Sequence, residues 1–595
     1  MRRRLALTAF PALALSTASV GQPSEPRRPN IVILLADDWG FTDVGSFGSE
    51  IRTPHIDALA AKGVRFSNFH VAGSCSPTRA MLQTGVINHR AGLGNMPETI
   101  PPEHLGRPGY ETHLNDRVVT IADQLRRGGY RTYLTGKWHL GHTPATLPTA
   151  RGYDHAFALS QSGADNFEEK PNLLLYNTVD WSQDGKAARL PKTYYSSTFI
   201  VEKMIAYIDG GKASGKPFFA SLNFLANHIP VQAPSRDIAA YAGRYSDGWT
   251  TLRRARQAGA VAQGVLPAGI AMVTMATTGD WKKLTAGQRL QRSNAMSAYA
   301  AMATAMDREV GRLVAHLKAT GVYENTIFVF LSDNGPEPTD PMAAGGITTW
   351  NTNRLYDQRL ANQGRPGSLT AIGVGFASAA AAPLRGYKFT ASEGGLRVPL
   401  IVAWPGNSQV QSGAVADGFA HVTDLAPTLL SLADVEPQKG YFEGRRVEPM
   451  TGLDLTPMLT GKAGKVGPDT RSLGYELSGN AVLFKGDYKL VKNIAPYGDG
   501  KWRLYNISRD PGEAHDLSVS DPARFISMQA DYVRFAKTNA VLEMPEGYTA
   551  PKQIFQNAMR NVLVPGLLGL WPFALGLLGV AVGLIWWRHR RCKLG

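Results

Sequence analysis

Uninterrupted apolar runs recur along the chain, without the polar residue at every second position that marks a half-exposed strand. Ile31-Val32-Ile33-Leu34-Leu35-Ala36 is the first, and Pro217–Phe224, Thr326–Ser332 and Leu400–Trp404 have the same character. Short apolar runs bounded by polar and turn-forming residues predict strands buried on both faces, as in a parallel sheet. Tyr130–Leu134 reads as a further strand. Helical signals lie between these runs. Thr53 and Pro54 open one helix, with Thr as cap and Pro in the first turn. Thr120 caps another that runs to Arg127 and stops at Gly128-Gly129. Ala295–Leu317 has apolar residues near helical spacing and is expected to cover the sheet. His421–Ala433 is expected as a helix capped by Thr423. Residues 335–382 are rich in Gly, Ala and Thr with weak periodicity, and are expected to form a long functional loop or lid. Past residue 450 the character changes. Leu483–Val491 reads as a hairpin with Gly486-Asp487 at its turn. No internal repeat is present.

Both ends carry membrane-type signals. Arg2, Arg3 and Arg4 precede the apolar stretch Leu5 to Leu15, and the small residues Ser16 to Gly21 follow. This is the order of a secretory signal over residues 1–22, with cleavage expected between Ala18 and Gln22; an uncleaved anchor is the alternative. Residues 562–587 hold no charge. As a helix at 1.5 Å per residue they would reach about 39 Å, enough to span a bilayer with tilt. Arg588, His589, Arg590, Arg591 and Lys593 follow, so the positive-inside rule places the tail 588–595 in the cytoplasm and the body on the other side. The expectation is an exported, periplasmic body anchored in the inner membrane. The net charge of +15 fits attraction of anionic substrates or lipids. The body shows no zinc-finger spacing and no long Lys/Arg run, which argues against nucleic acid as a partner.

Candidate chemistry gathers where the apolar runs end. Asp37 and Asp38 follow the first run, and Asp333 and Asn334 follow Thr326–Ser332. Carboxylates at the end of a buried strand are costly unless paired or bound to a cation. The carboxyl edge of an α/β sheet is also where ligands bind. If both strands share one sheet, four oxygen-bearing side chains converge, a donor set for Ca²⁺ or Mg²⁺ rather than zinc. Of the two cysteines, Cys592 lies in the basic tail, so a structural disulfide does not account for Cys75. Cys75 opens Cys75-Ser76-Pro77-Thr78-Arg79, with Thr84-Gly85 further on. Lys137 and His139 stand two apart in Gly136-Lys137-Trp138-His139, where both can face one site. His228 follows the Pro217–Phe224 run. Lys388 lies in Leu384-Arg385-Gly386-Tyr387-Lys388, followed by Glu393-Gly394-Gly395-Leu396-Arg397-Val398-Pro399.

In this order and with these spacings, residues 28–535 resemble the type I sulfatases of the alkaline phosphatase-like superfamily, most like the bacterial arylsulfatases in pattern. Ala91–Met96 and Tyr241–Trp249 add to the likeness. The resemblance implies a large mixed, mostly parallel sheet sandwiched by helices over 28–445. It also implies a small antiparallel-sheet subdomain over 446–540. It implies that Cys75 is oxidised to formylglycine by a separate formylglycine-generating enzyme, and that the aldehyde works as its hydrate. One divalent metal, Ca²⁺ by preference, would be held by Asp37, Asp38, Asp333, Asn334 and residue 75. Arg79 would steady the hydrate, and Lys137 and Lys388 would neutralise sulfate oxygens. His228, helped by Lys388, would protonate the leaving oxygen. His139 would deprotonate the second hydroxyl, expelling sulfate and restoring the aldehyde. The implied reaction is hydrolysis of a sulfate ester to alcohol or phenol and inorganic sulfate. In one place the sequence departs from the family: Ala226-Asn227-His228 stands where Ala-Pro-His is usual, which leaves the local backbone open because Pro would fix its φ.

Other activities fit parts of the pattern. A phosphonate monoester or phosphodiester hydrolase on the same fold would use the same cluster, since both esters are tetrahedral anions. A non-catalytic receptor for sulfated glycans predicts lost catalytic residues, and none is lost. A transferase acting on lipid headgroups would use Thr where this chain has Cys75.

Overall fold

The computed structural model describes residues 28–172, 174–564 and 579–587. The expected signal segment, residues 565–578 of the apolar run and the tail 588–595 lie outside the described residues. Among the described residues no helix is long and apolar enough to cross a membrane, so the expected span over 562–587 finds no support there.

Ten strands form one sheet. Its parallel centre runs Thr326–Ser332, Asn30–Ala36, Phe218–Asn223, Arg131–Lys137, His155–Leu159. On one side Leu400–Ala403 adds antiparallel to Thr326–Ser332, followed by Gly63–Phe66 and Ala414–Ala416. On the other, the short antiparallel strands Trp181–Gln183 and Lys186–Ala187 close the edge. The α/β reading therefore holds, with antiparallel strands at both margins.

The first strand shows why the apolar runs are unbroken. Side chains alternate between faces, and both faces are covered. Val32, Leu34 and Ala36 join a core with Val201, Met204, Met306 and Val310 from helices Ser196–Gly211 and Ala286–Ala319. Ile31, Ile33 and Leu35 join a second core with Met81, Leu125 and Leu429 from helices Cys75–Thr84, Ile121–Arg127 and Leu425–Leu432. Each fully buried aliphatic side chain of this kind contributes roughly 1.5–3 kcal/mol.

Several local expectations are met and others shift. The Thr120 hydroxyl accepts from the Asp123 N–H and caps its helix. The long covering helix starts earlier than Ala295, at a Thr285–Gln288 capping box. His421, not Thr423, caps the turn that leads into Leu425–Leu432. The largest correction concerns 335–382. This stretch contains helices Gly346–Leu355 and Gly373–Ala380, and the second is packed in the interior. Its small residues serve close approach: a Cβ on Gly375 would lie 2.4 Å from the Trp249 ring.

After the main sheet, Ser472–Leu477, Asn480–Lys485, Tyr488–Lys492 and Trp502–Asn506 pair as an antiparallel sheet. The expected hairpin lies in it, turning at Gly486-Asp487. Phe525, Met528, Tyr532 and Phe535 recur at helical spacing along Pro522–Thr538 and pack on Leu483, Leu490 and Leu504.

Candidate active site

Four of the parallel strands deliver site residues to one edge. The register pairs Ala36 with Ser332, so Asp37 and Asp333 leave the sheet side by side. Leu35 pairs with Asn223, and Gly136 pairs with Asn223 from the other side. The turns bearing His228 and Lys137 therefore flank the same edge. Gly136 has φ +98°, and a Cβ there would lie 1.9 Å from the Asn223 carbonyl oxygen, so only glycine fits. Asp38 and His139 both adopt positive φ, 65° and 55°. Such backbone conformations cost energy in residues other than glycine and persist where surroundings enforce them. At Asp38 the Tyr299 hydroxyl donates to the carbonyl oxygen at 2.8 Å. Cys75 is the first residue of a ten-residue helix buried along its whole length.

Around Cys75 the charges interlock. Its Sγ lies 3.5 Å from Asp37 Oδ1. Lys137 Nζ is 2.6 Å from Asp37 Oδ2, and Lys388 Nζ is 2.7 Å from Asp38 Oδ1 and 3.0 Å from Glu337. Arg79 forks onto Asp333 Oδ2 at 2.8 and 2.7 Å, and donates to the Lys137 carbonyl at 2.9 Å. Asn334 Nδ2 donates to Asp38 Oδ1 at 2.6 Å. His228 Nε2 stands 3.9 Å from Asp38 Oδ2, while its Nδ1 is 2.7 Å from the Ile229 carbonyl. A carbonyl only accepts, so Nδ1 carries the hydrogen and Nε2 presents its lone pair in the neutral ring. The Ala226–Asn227 peptide before it is cis. Asn227 Nδ2 donates to the Tyr299 carbonyl at 3.2 Å.

These contacts set the protonation states. Burial, then Asp333, pushes the Cys75 thiol well above its usual value. A protonated thiol is a poor nucleophile and a poor ligand for a hard cation. Burial would lower Lys388 and Lys137, but Asp38 and Asp37 respectively hold them protonated. Burial, then Lys137 and Lys388, drives His228 down to about 3, so its imidazole is neutral. Asp38 is held at about 2 although burial opposes, chiefly by Lys388.

A hard divalent cation fits this cluster. One ligand atom from each of Asp37, Asp38, Cys75 and Asp333 lies within 4.8 Å of all the others. Asp38 Oδ2 and Asn334 Oδ1 are buried without a hydrogen-bond partner. Buried acceptors left unpaired are costly, and a cation would satisfy both. The carboxylates of Asp37, Asp38, Asp333 and Glu337 outnumber Arg79, Lys137 and Lys388 by one. A divalent ion would therefore leave the pocket net positive, suited to an anionic ester.

The sequence-derived residues Asp37, Asp38, Cys75, Arg79, Lys137, Asp333, Asn334 and Lys388 are joined by direct contacts, with His228 at their edge. His139 stands apart: its Nε2 pairs with Glu98 at 3.1 Å. Glu98, Glu337 and Tyr299 escaped the sequence reading. Glu337 lies just past Asp333-Asn334, where the motif could have flagged it. Glu98, between Pro97 and Thr99, carried no signal.

With this geometry in view, comparisons with known proteins are decisive about family. The sulfatase family model matches residues 29–435. An uncharacterised sulfatase of Schizosaccharomyces pombe is 36% identical over 554 residues, covering 91% of this chain and 99% of its own. An arylsulfatase of Klebsiella aerogenes is 34% identical over 462 residues, covering 76% of this chain and 96% of its own. Among solved structures, Ps i-CgsB in complex with k-i-k-neocarrahexaose shares the fold with a TM-score of 0.62 at 24% identity, over 90% of this chain and 98% of that one. The protein belongs to the sulfatase family, with the alkaline phosphatase-like fold, and is a sulfuric ester hydrolase.

Proposed function

We propose that the protein is an arylsulfatase-type enzyme that cleaves sulfate esters with a formylglycine made from Cys75 and one divalent metal, Ca²⁺ by preference. The observation that carries this reading is the state of Cys75. It is buried at the meeting point of three carboxylates and three cations, with its thiol held protonated. A thiol in that state is a poor nucleophile; an oxygen group at the same position would be the better one. An aldehyde hydrate at residue 75 supplies that oxygen. Asp37, Asp38, Asp333, Asn334 and residue 75 would hold the cation, which would supply positive charge to acidify the hydrate and polarise the sulfate.

The remaining work falls to the chain's own side chains. Arg79 is locked on Asp333 and steadies the group at residue 75 one helical turn away. Lys137 and Lys388 stay charged and bind sulfate oxygens. The anionic ester offsets the repulsion that these lysines exert on His228, which raises its proton affinity. His228 Nε2 then takes up a proton from solvent and, with Lys388, gives it to the leaving oxygen. His139 accepts a proton from the group at residue 75 in the second half of the cycle. The likeness to the Klebsiella aerogenes arylsulfatase supports an aryl ester.

The test is a paired assay. Turnover of 4-nitrophenyl sulfate should exceed that of 4-nitrophenyl phosphate and of its phosphonate monoester, and Cys75→Ala should abolish it. A faster phosphonate reaction, or full activity in the variant, would sink the reading. The charged and apolar segments near residues 1–22 and 562–587 support export and membrane anchoring of the body. Carbonate extraction of host membranes tests this: release into the wash would contradict an anchor.

A further inference from the structure

We propose that Glu98 is a positioning residue that fixes the ring and tautomer of His139, leaving Nδ1 as the atom that accepts a proton. This rests on the reading of His139 as a base given above. His139 Nε2 lies 3.1 Å from Glu98 Oε1. A carboxylate only accepts, so Nε2 carries the hydrogen and Nδ1 holds the lone pair. His139 Nδ1 is buried and has no partner among the described residues. A carboxylate behind a histidine is the arrangement that holds an imidazole in one tautomer and stabilises its cation.

Glu98 is itself held firmly. The Tyr176 hydroxyl donates to the same Oε1, and it also bonds Ser162 Oγ at 2.9 Å. The backbone on either side is clamped from far along the chain. Asn557, on the helix Ala550–Ala558, donates to the Glu98 and Ile100 carbonyls at 3.0 Å each, and Gln553 donates to Asn557 Oδ1. The helix Ala550–Ala558, beyond the residues 29–435 that the family model matches, thus braces the loop that orients His139. The charged groups acting on the ring are Glu98, Lys137 and Arg79. Burial lowers the ring's proton affinity, and Lys137 and Arg79 add to that; Glu98 opposes them and supports the imidazolium. Glu98 is held ionised at about 2: burial opposes, and His139 and Tyr176 prevail.

The experiment uses the full-length, metal-loaded enzyme. Glu98→Gln keeps the shape and removes the charge. It should lower kcat about 10- to 100-fold with KM nearly unchanged, the scale of a partner that acts through another residue and below the roughly 10²- to 10⁴-fold that the positioned base itself contributes. In protein labelled at histidine carbons, the titration of the His139 ring, assigned with His139→Gln, should move to lower pH. Glu98→Asp, which withdraws the carboxylate by one methylene, should fall between the two and carries the test if the Gln variant does not fold. Unchanged kcat and an unmoved His139 titration in Glu98→Gln, while His139→Ala loses activity, would overturn the proposal alone. Full activity in His139→Ala would overturn the base reading of His139 and this proposal with it.

Discussion

At the scale of single residues, burial decides what each group can do. Lys137 and Lys388 are buried amines that stay charged because a carboxylate lies within 2.7 Å of each. His228 is buried beside both lysines and is neutral until an anion arrives. Its role as proton donor has a signature in the substrate. A basic phenoxide needs its proton during bond cleavage; 4-nitrophenoxide needs it much less. His228→Ala should therefore cost about 10²- to 10⁴-fold on unsubstituted phenyl sulfate and clearly less on 4-nitrophenyl sulfate. Equal losses on the two esters would remove His228 from that role. Much of this site was legible because acidic side chains at the end of a buried strand, such as Asp37 and Asp38, must be paired or hold a cation. Glu98 was not legible: its link to His139 arises only when two loops meet in space.

At the scale of elements, the long helix Ala286–Ala319 ties the catalytic edge to its periphery. Tyr299 holds the Asp38 carbonyl, and two turns on Asp307 accepts from the His55 and Ile56 N–H groups at the start of helix Pro54–Ala60. Burial lifts Asp307 to about 7 despite these bonds. In the unfolded chain its pKa is the ordinary 3.8, so between about 4 and 7 the folded state binds the extra proton. The stability this group contributes is present at low pH and is lost as pH rises through 7. Asp307→Asn removes the dependence. The melting temperature of the wild type relative to Asp307→Asn should fall from pH 5 to pH 8, and a constant difference would contradict the assignment. Strands were read well here because both faces of the sheet are covered, which makes their apolar runs continuous. The 335–382 stretch was misread because Gly and Ala signal close packing as readily as mobility. In Gly373–Ala380 they serve packing, with Gly375 against Trp249.

At the scale of the molecule, the site is a buried charge cluster whose unpaired oxygens a cation would complete. A ligand that binds only the folded state raises its stability with the logarithm of its concentration. Stripping the protein with a chelator should lower its melting temperature and its activity together, and added Ca²⁺ should restore both. The same series on Asp38→Ala should be nearly flat. A melting temperature indifferent to chelator and cation would leave the unpaired oxygens of Asp38 and Asn334 without a ligand to satisfy them. The central claim is that an oxygen group made from Cys75 does the attacking. It is tested most directly by the mass of the peptide containing residue 75, taken from active protein made in its own host. The expected result is loss of the thiol in favour of an aldehyde, with activity proportional to the converted fraction. Full activity in protein whose residue 75 remains an intact cysteine would contradict it.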